Sequence, residues 1–220
     1  MSVVIAKKYK NGFILAADSG CFKDQERTRA EKVFKLDYSD DIFIGGVGTL
    51  KEVQLVKYMD SLIDPNAVKR DQLDMKSIIT YTVPSLRKQL AKSLGMGDKM
   101  VDKWSSEIII VRKDKAFSID SDFCVKEIED FEAIGAPEDF CKGAYRVLLE
   151  HPYKKNTKGL YRYETIPEEK LVVELIKMTF DITIYTFYTI RYVNTSTDKD
   201  FQIVYGGIVE FPPEGLQSKW

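Results

Sequence analysis

Apolar residues fill positions 3–6 and the run can extend to Tyr9; after Lys10-Asn11-Gly12, positions 13–17 are apolar again. Two such runs flanking an Asn-Gly turn predict a β-hairpin that starts at about the second residue. Positions 34–36 and 42–47 give a second strand pair, joined by the turn-favouring Asp37-Tyr38-Ser39-Asp40-Asp41. Leu50, Val53, Leu55, Val56, Met59 and Leu62 then recur near a helical period. They predict a helix over 49–62, with Thr49 as N-cap and Glu52 completing a capping box. A second helix is expected over 72–94, started, kinked or interrupted by Pro84.

Strands follow at 107–111, 116–119 and 125–128, then helices at 137–149 and 167–180, each opened by a proline in its first turn. The stretch 182–193, dense in Ile, Tyr, Thr and Phe, and the stretch 201–211 read as extended. Strands, two helices, strands, two helices and strands suggest an α+β fold with helices segregated onto the outer faces of two stacked sheets. No repeat, low-complexity tract or linker interrupts the 220 residues, so one domain over 1–220 is the expectation. The polar segment 154–158 is the expected flexible loop.

Composition narrows the chemistry. The 33 Lys plus Arg against 34 Asp plus Glu leave a formal charge of -1, the wrong balance for neutralising phosphates. No nucleic-acid partner is expected. No apolar stretch reaches the roughly 18 residues of a membrane span, and the first apolar run breaks at Lys7, too early for a signal-peptide core. No membrane partner is expected either. Cys21, Cys124 and Cys141 are odd in number and lack CxxC spacing, which fits reduced thiols in a cytoplasmic protein and indicates neither a disulfide framework nor a zinc knuckle. The one histidine, His151, stands in a polar stretch before Pro152 and reads as a solvated loop residue. Catalysis must therefore do without imidazole, and no cofactor or metal is implied.

Ser2-Val3-Val4-Ile5-Ala6, Asn11-Gly12 and Phe13-Ile14-Leu15-Ala16-Ala17-Asp18 resemble the first hairpin of proteasome β-type subunits and of HslV, N-terminal nucleophile hydrolases. The spacing from Ser2 to Asp18 is the family's, without a gap. Lys32-Val33-Phe34 is similar to the family's catalytic-lysine strand, and Ile44-Gly45-Gly46-Val47-Gly48 to its glycine turn before the first helix. Ala133-Ile134-Gly135 and Asp181-Ile182-Thr183-Ile184-Tyr185-Thr186 look most like HslV, so the resemblance spans about residues 2 to 190. It implies a four-layer αββα sandwich, a homo-oligomeric ring and a polypeptide substrate. Any ATP-dependent unfoldase feeding that ring is a separate protein, since no nucleotide-binding loop occurs here.

By the same resemblance the catalytic residues are Ser2, Asp18, Lys32 and Gly45. A serine hydroxyl is a poor nucleophile at neutral pH, and a free α-amine on the same residue, with a pKa of about 7.7 to 8.0, is a well-matched base. Ser2 offers that amine only once Met1 has been removed. The positive charge of Lys32 would lower the hydroxyl's pKa, Asp18 would hold Lys32 charged and oriented, and the Gly45 amide would receive the oxyanion.

Four departures set a second expectation beside the first. The family's threonine is Ser2, and its serine after the Ile-Gly pair is Ala136. The acid expected in the late helix falls at Lys177, and the loop from Asp18 to Lys32 is about two residues short of the family's. Retained Ser2, Asp18 and Lys32 point to a peptidase, whereas Ala136 and Lys177 point to a catalytically silent subunit kept for scaffolding.

Overall fold

A computed structural model describes residues 2–23, 26–69, 73–96, 100–150, 168–182, 189–196 and 202–205. The N-terminal hairpin forms as the pattern predicts, with β1 (Val3–Tyr9) antiparallel to β2 (Gly12–Asp18). Its register pairs Tyr9 with Gly12, so the turn centres on Lys10 and Asn11, with Lys10 at φ 53. A short hairpin of β3 (Gly20–Lys23) and β4 (Glu26–Arg29) follows, which the apolar pattern did not announce. Then come β5 (Val33–Lys35) and β6 (Ile42–Val47), and α1 (Leu50–Lys57) and α2 (Pro65–Lys69).

The expected helix 49–62 therefore stops at Lys57, and its capping box does not form. The Thr49 side chain makes no cap bond, and the reciprocal half is lost as well: the Glu52 carboxylate is drawn to the Ser105 N–H at 3.1 Å and the Ser106 hydroxyl at 2.5 Å, and the Thr49 N–H bonds Ser106 instead. A capping box does open α3 (Met75–Ser77), with Asp74 and Ser77 bonding reciprocally. A π-helical turn over Ile78–Thr82 follows, and α4 (Val83–Ser93) carries Pro84 in its first turn. Proline withholds the N–H that would reach Thr80 four residues back, so the ladder widens before it resumes.

β7 (Glu107–Arg112), β8 (Lys115–Ile119), β9 (Val125–Glu127) and β10 (Phe131–Gly135) come next, then α5 (Glu138–Glu150) and α6 (Glu168–Ile182). Ile182, expected in an extended segment, is the last residue of α6, and the described part of that segment is strand β11 (Thr189–Asn194). Within the expected 201–211 strand, β12 covers Gln202–Tyr205 and the rest lies outside the described residues, as do His151, 154–158 and 183–188.

The strands form two five-stranded antiparallel sheets, ordered β10-β1-β2-β11-β12 and β5-β6-β7-β8-β9. Alternate residues of the central strands enter different cores. Val4, Ala6, Leu15 and Ala17 of the first sheet meet Val33, Ile109 and Val111 of the second in one cluster, so the sheets pack face to face. Val3, Ile5, Ile14 and Ala16 point the other way, onto Tyr145, Leu171, Val172 and Ile176 of α5 and α6. Phe34, Ile44, Ile108 and Ile110 likewise meet Val53, Val56, Leu86 and Leu90 of α1 and α4. Burial on both faces explains the unbroken apolar runs, and each such side chain contributes about 1.5–3 kcal/mol. A one-residue slip of β1 would exchange its two faces, which differ in partner and volume, so the register holding Asp18 beside Val3 is well fixed. Among the described residues no helix is long and apolar enough to cross a membrane, and no group of side chains could hold a metal ion.

Candidate active site

The β1–β2 register pairs Val4 with Ala17, which leaves Asp18 beside Val3 at the end of the hairpin. The Val3 N–H donates to Asp18 Oδ1 at 2.9 Å and the Gly20 N–H to Oδ2 at 2.8 Å. Lys32 Nζ donates to both oxygens at 2.9 Å. The Asp18 side chain is fully buried and that of Lys32 only 6% exposed, so this is an ion pair withdrawn from water. Lys32 is held from both sides: its carbonyl accepts from the Gly46 N–H at 2.8 Å, and Ala30, two residues earlier, bonds the Ser19 carbonyl. Next to it, Glu31 accepts from Lys57 of α1 and Arg191 of β11, which ties this stretch to both neighbours.

Burial pushes the Lys32 ammonium below its ordinary value, and the charge and hydrogen bonds of Asp18 offset only part of that. A lysine in such surroundings is poised nearer neutrality than a surface lysine. Lys32 reaches a recess of about 20 Å³ that it shares with Ser2, Ala30, Gly46 and Val53. Ser2, half-buried, also lines a larger cleft of about 540 Å³ with Cys21, Thr49, Ser106, Glu107 and Ala136. The structure thus brings Ser2 to the same recess as Lys32, with Asp18 buried behind it.

Gly45 lies elsewhere. It sits inside β6, opposite Val33 on one side and Ile109 on the other, and a Cβ there would lie 2.5 Å from Val4 Cγ1. Its missing side chain serves the approach of the two sheets, and the cleft wall is formed by the following Val47 and Gly48. Gly48 at φ +112 turns the chain against Ser105, whose carbonyl would be 2.3 Å from a Cβ. Gly135 at φ +99 does the same against the Ser2 carbonyl, at 2.1 Å. Only glycine fits these two positions, and both hold the cleft open at its narrowest contacts.

The opposite wall escaped the sequence reading. Glu107, the first residue of β7, accepts from the Gly135 N–H at 3.2 Å, and Ser106 is anchored by Glu52 and bonds the Thr49 N–H. Burial pushes the Glu107 carboxyl above its ordinary value; the Gly135 bond opposes this and the charge of Glu138 adds to it. The one sequence signal was the Ser-Ser-Glu run before an apolar strand, which carries no chemistry by itself. Of the departures from the family pattern, Ala136 lines the cleft, whereas Lys177 pairs with Glu174 on α6 at 2.8 Å. The cysteines are free, with Cys21 half-buried at the cleft and the Cys141 thiol pushed by burial up to about 12.

No family model and no curated protein sequence matches the chain. Solved structures do. Thiobacillus denitrificans BPH superposes with a TM-score of 0.64 at 14% identity, covering 87% of this chain and 96% of that one. The same protein in complex with epoxomicin gives 0.60 at 14% identity, over 94% and 100%. HslV from Trypanosoma brucei gives 0.57 at 16% identity, over 92% and 99%. The chain has the fold of these HslV and proteasome-type chains, and at such identities the likeness is one of fold.

Proposed function

We propose that the chain is a proteasome/HslV-like peptidase subunit, one domain over 1–220 with a four-layer αββα sandwich, acting through an N-terminal serine. The observation that carries this reading is the buried Lys32–Asp18 pair opening through one recess onto Ser2. After Met1 is removed, the Ser2 α-amine takes the hydroxyl proton and Oγ attacks the peptide carbonyl carbon. The C–N bond breaks, the leaving amine takes that proton, and water then hydrolyses the Ser2 ester. Lys32 favours the ionised hydroxyl by its positive charge, while Asp18 orients Lys32 through two bonds. The resemblance assigns the oxyanion to the Gly45 amide, but Gly45 lies within β6 between Val33 and Ile109 and lines neither recess nor cleft, and the N–H of Gly46 is committed to the Lys32 carbonyl, so neither glycine is given that role in the proposal.

The cytoplasm, a homo-oligomeric ring and a polypeptide substrate complete the proposal, with any ATP-dependent unfoldase supplied by another protein. The ring and the substrate class rest on the resemblance to HslV, and this chain shares the fold of the Trypanosoma brucei HslV chain. A second reading, a catalytically silent scaffold subunit, is favoured by Ala136 on the cleft wall, where the family has a serine. Turnover of an unfolded fluorescein-labelled polypeptide separates the two, using protein shown by intact mass to lack Met1. Hydrolysis by the trimmed chain, absent from the untrimmed one, is expected. A stable monomer in light scattering at micromolar concentration would remove the ring from the proposal.

A further inference from the structure

Glu107 is the one charged residue among the described residues that line the large cleft. One of its carboxylate oxygens accepts from the Gly135 N–H at 3.2 Å, and no ion pair joins it to any described cation. Lys142, the cation that lowers its pKa from a distance, is already bonded to Glu132 at 2.8 Å and lies 3.5 Å from Glu138. On the other side, the charge of Lys32 is balanced by both oxygens of Asp18. When the Ser2 α-amine is neutral, as its role as base requires, the field in the cleft is therefore set by one half-buried carboxylate without an ion-pair partner. Gly135 places it close to the nucleophile, since that residue's backbone touches the Ser2 carbonyl and donates to Glu107.

A carboxylate drawn partly out of water without a counter-charge regains favourable interactions when a cation joins it. We propose that Glu107 sets the substrate class of this cleft by receiving a lysine or arginine side chain of the polypeptide bound at Ser2. The inference rests on the peptidase reading and names its substrate. Ser121, Thr49 and Ser106, which also line the cleft, are neutral hydrogen-bonding groups suited to a polypeptide backbone and do not distinguish anions from cations. An acidic side chain would meet Glu107 with like charge.

The test is calorimetric titration of the full-length Ser2→Ala protein, which binds without turnover, with three capped pentapeptides: acetyl-Ala-Ala-X-Ala-Ala-amide, X being lysine, norleucine or glutamate. The lysine peptide should bind about tenfold tighter than the norleucine peptide, and the glutamate peptide weakest. Adding Glu107→Gln, which keeps an oxygen for the Gly135 N–H, should erase the lysine advantage, so that the lysine and norleucine peptides bind alike. A lysine advantage that survives Glu107→Gln, its absence from the parent, or no binding of any peptide overturns the proposal. Epoxomicin labelling of Met1-trimmed wild-type protein is read separately. A Glu107-dependent lysine preference without labelling would sink the peptidase reading alone, and labelling without the preference would sink this inference alone.

Discussion

A buried lysine lies near each end of the N-terminal hairpin, Lys7 on β1 and Lys32 just before β5 of the second sheet, and the two are solved differently. At the Ser2 end, Lys32 is 6% exposed and its partner Asp18 fully buried, so neither charge keeps its hydration. At the far end Lys7, 5% exposed, pairs at 2.8 Å with Asp130, whose side chain is 57% exposed. Lys7 also donates to the Lys8 carbonyl, and Asp130 accepts from Tyr145, whose ring stacks on Phe131 at 4.0 Å. The two ends also differ in which partner is perturbed. Burial drives the Lys32 ammonium down. Burial alone would raise Asp130, but the bonds from Lys7 and Tyr145 outweigh it and hold the carboxyl below its usual value. A wet pair is a fastener, whereas a dry pair beside a cleft is kept at a cost that packing alone does not require.

Removing each lysine should break that comparison most visibly. Lys32→Met leaves the Asp18 carboxylate buried without a counter-charge, so a loss of about 3–5 kcal/mol in urea unfolding is expected. Its epoxomicin labelling rate should fall by at least about 10²-fold. Lys7→Met should cost about 1 kcal/mol or less, because water reaches Asp130, and should leave labelling unchanged. Equal losses of stability at the two ends would remove the distinction.

Asp18→Asn is milder for the reaction, because Lys32 keeps its own charge and one acceptor remains, although the single amide oxygen can keep only one of the bonds that the Val3 and Gly20 N–H groups make to separate carboxylate oxygens. Labelling should slow on the order of tenfold, the equivalent of about one pKa unit at the reacting group. The pH profile sharpens the same point. Labelling should rise as the Ser2 amine loses its proton near about pH 8, then fall again as Lys32 loses its charge. Because burial depresses Lys32, that upper limb should lie below the ordinary 10.5. A profile flat to pH 11 or beyond would exclude a buried, charged Lys32 from the reaction.

The smallest effect belongs to Tyr145→Phe at the wet end. Asp130 has a depressed folded pKa, so its contribution is present above the unfolded value of 3.8 and lost as pH falls through the folded one. Discounted for solvent screening, the variant should lose about 0.5–1 kcal/mol at pH 7. That deficit should shrink in paired acid-unfolding curves as pH falls from 3.8 through the lower, folded-state value of Asp130.

What the sequence disclosed follows from how each residue finds its partner. β1, β2, β6 and β7 were legible because both faces of each are buried, which leaves runs of Val, Ile and Ala without polar interruption. The helix at Thr49 was legible but its cap was not, since Glu52 is taken by Ser105 and Ser106 some fifty residues away. β10 hides a buried glutamate, Glu132, tolerated because Lys126 and Lys142 reach it from outside the strand. Ser2 and Asp18 could be paired from the sequence because the hairpin register is local, whereas Lys32, which precedes β5 of the other sheet, was reached only through the resemblance. Glu107 could not, because it reaches the cleft only when β10 lies against β1, with Gly135 opposite Val3.

The central claim is that Ser2, freed of Met1, is the attacking residue. Intact-mass spectrometry of trimmed protein incubated with epoxomicin, the ligand seen on the Thiobacillus denitrificans BPH fold, tests it most directly. One adduct per chain on wild type and none on Ser2→Ala is the predicted result. An adduct that persists in Ser2→Ala, or a trimmed wild type that takes none, would contradict it.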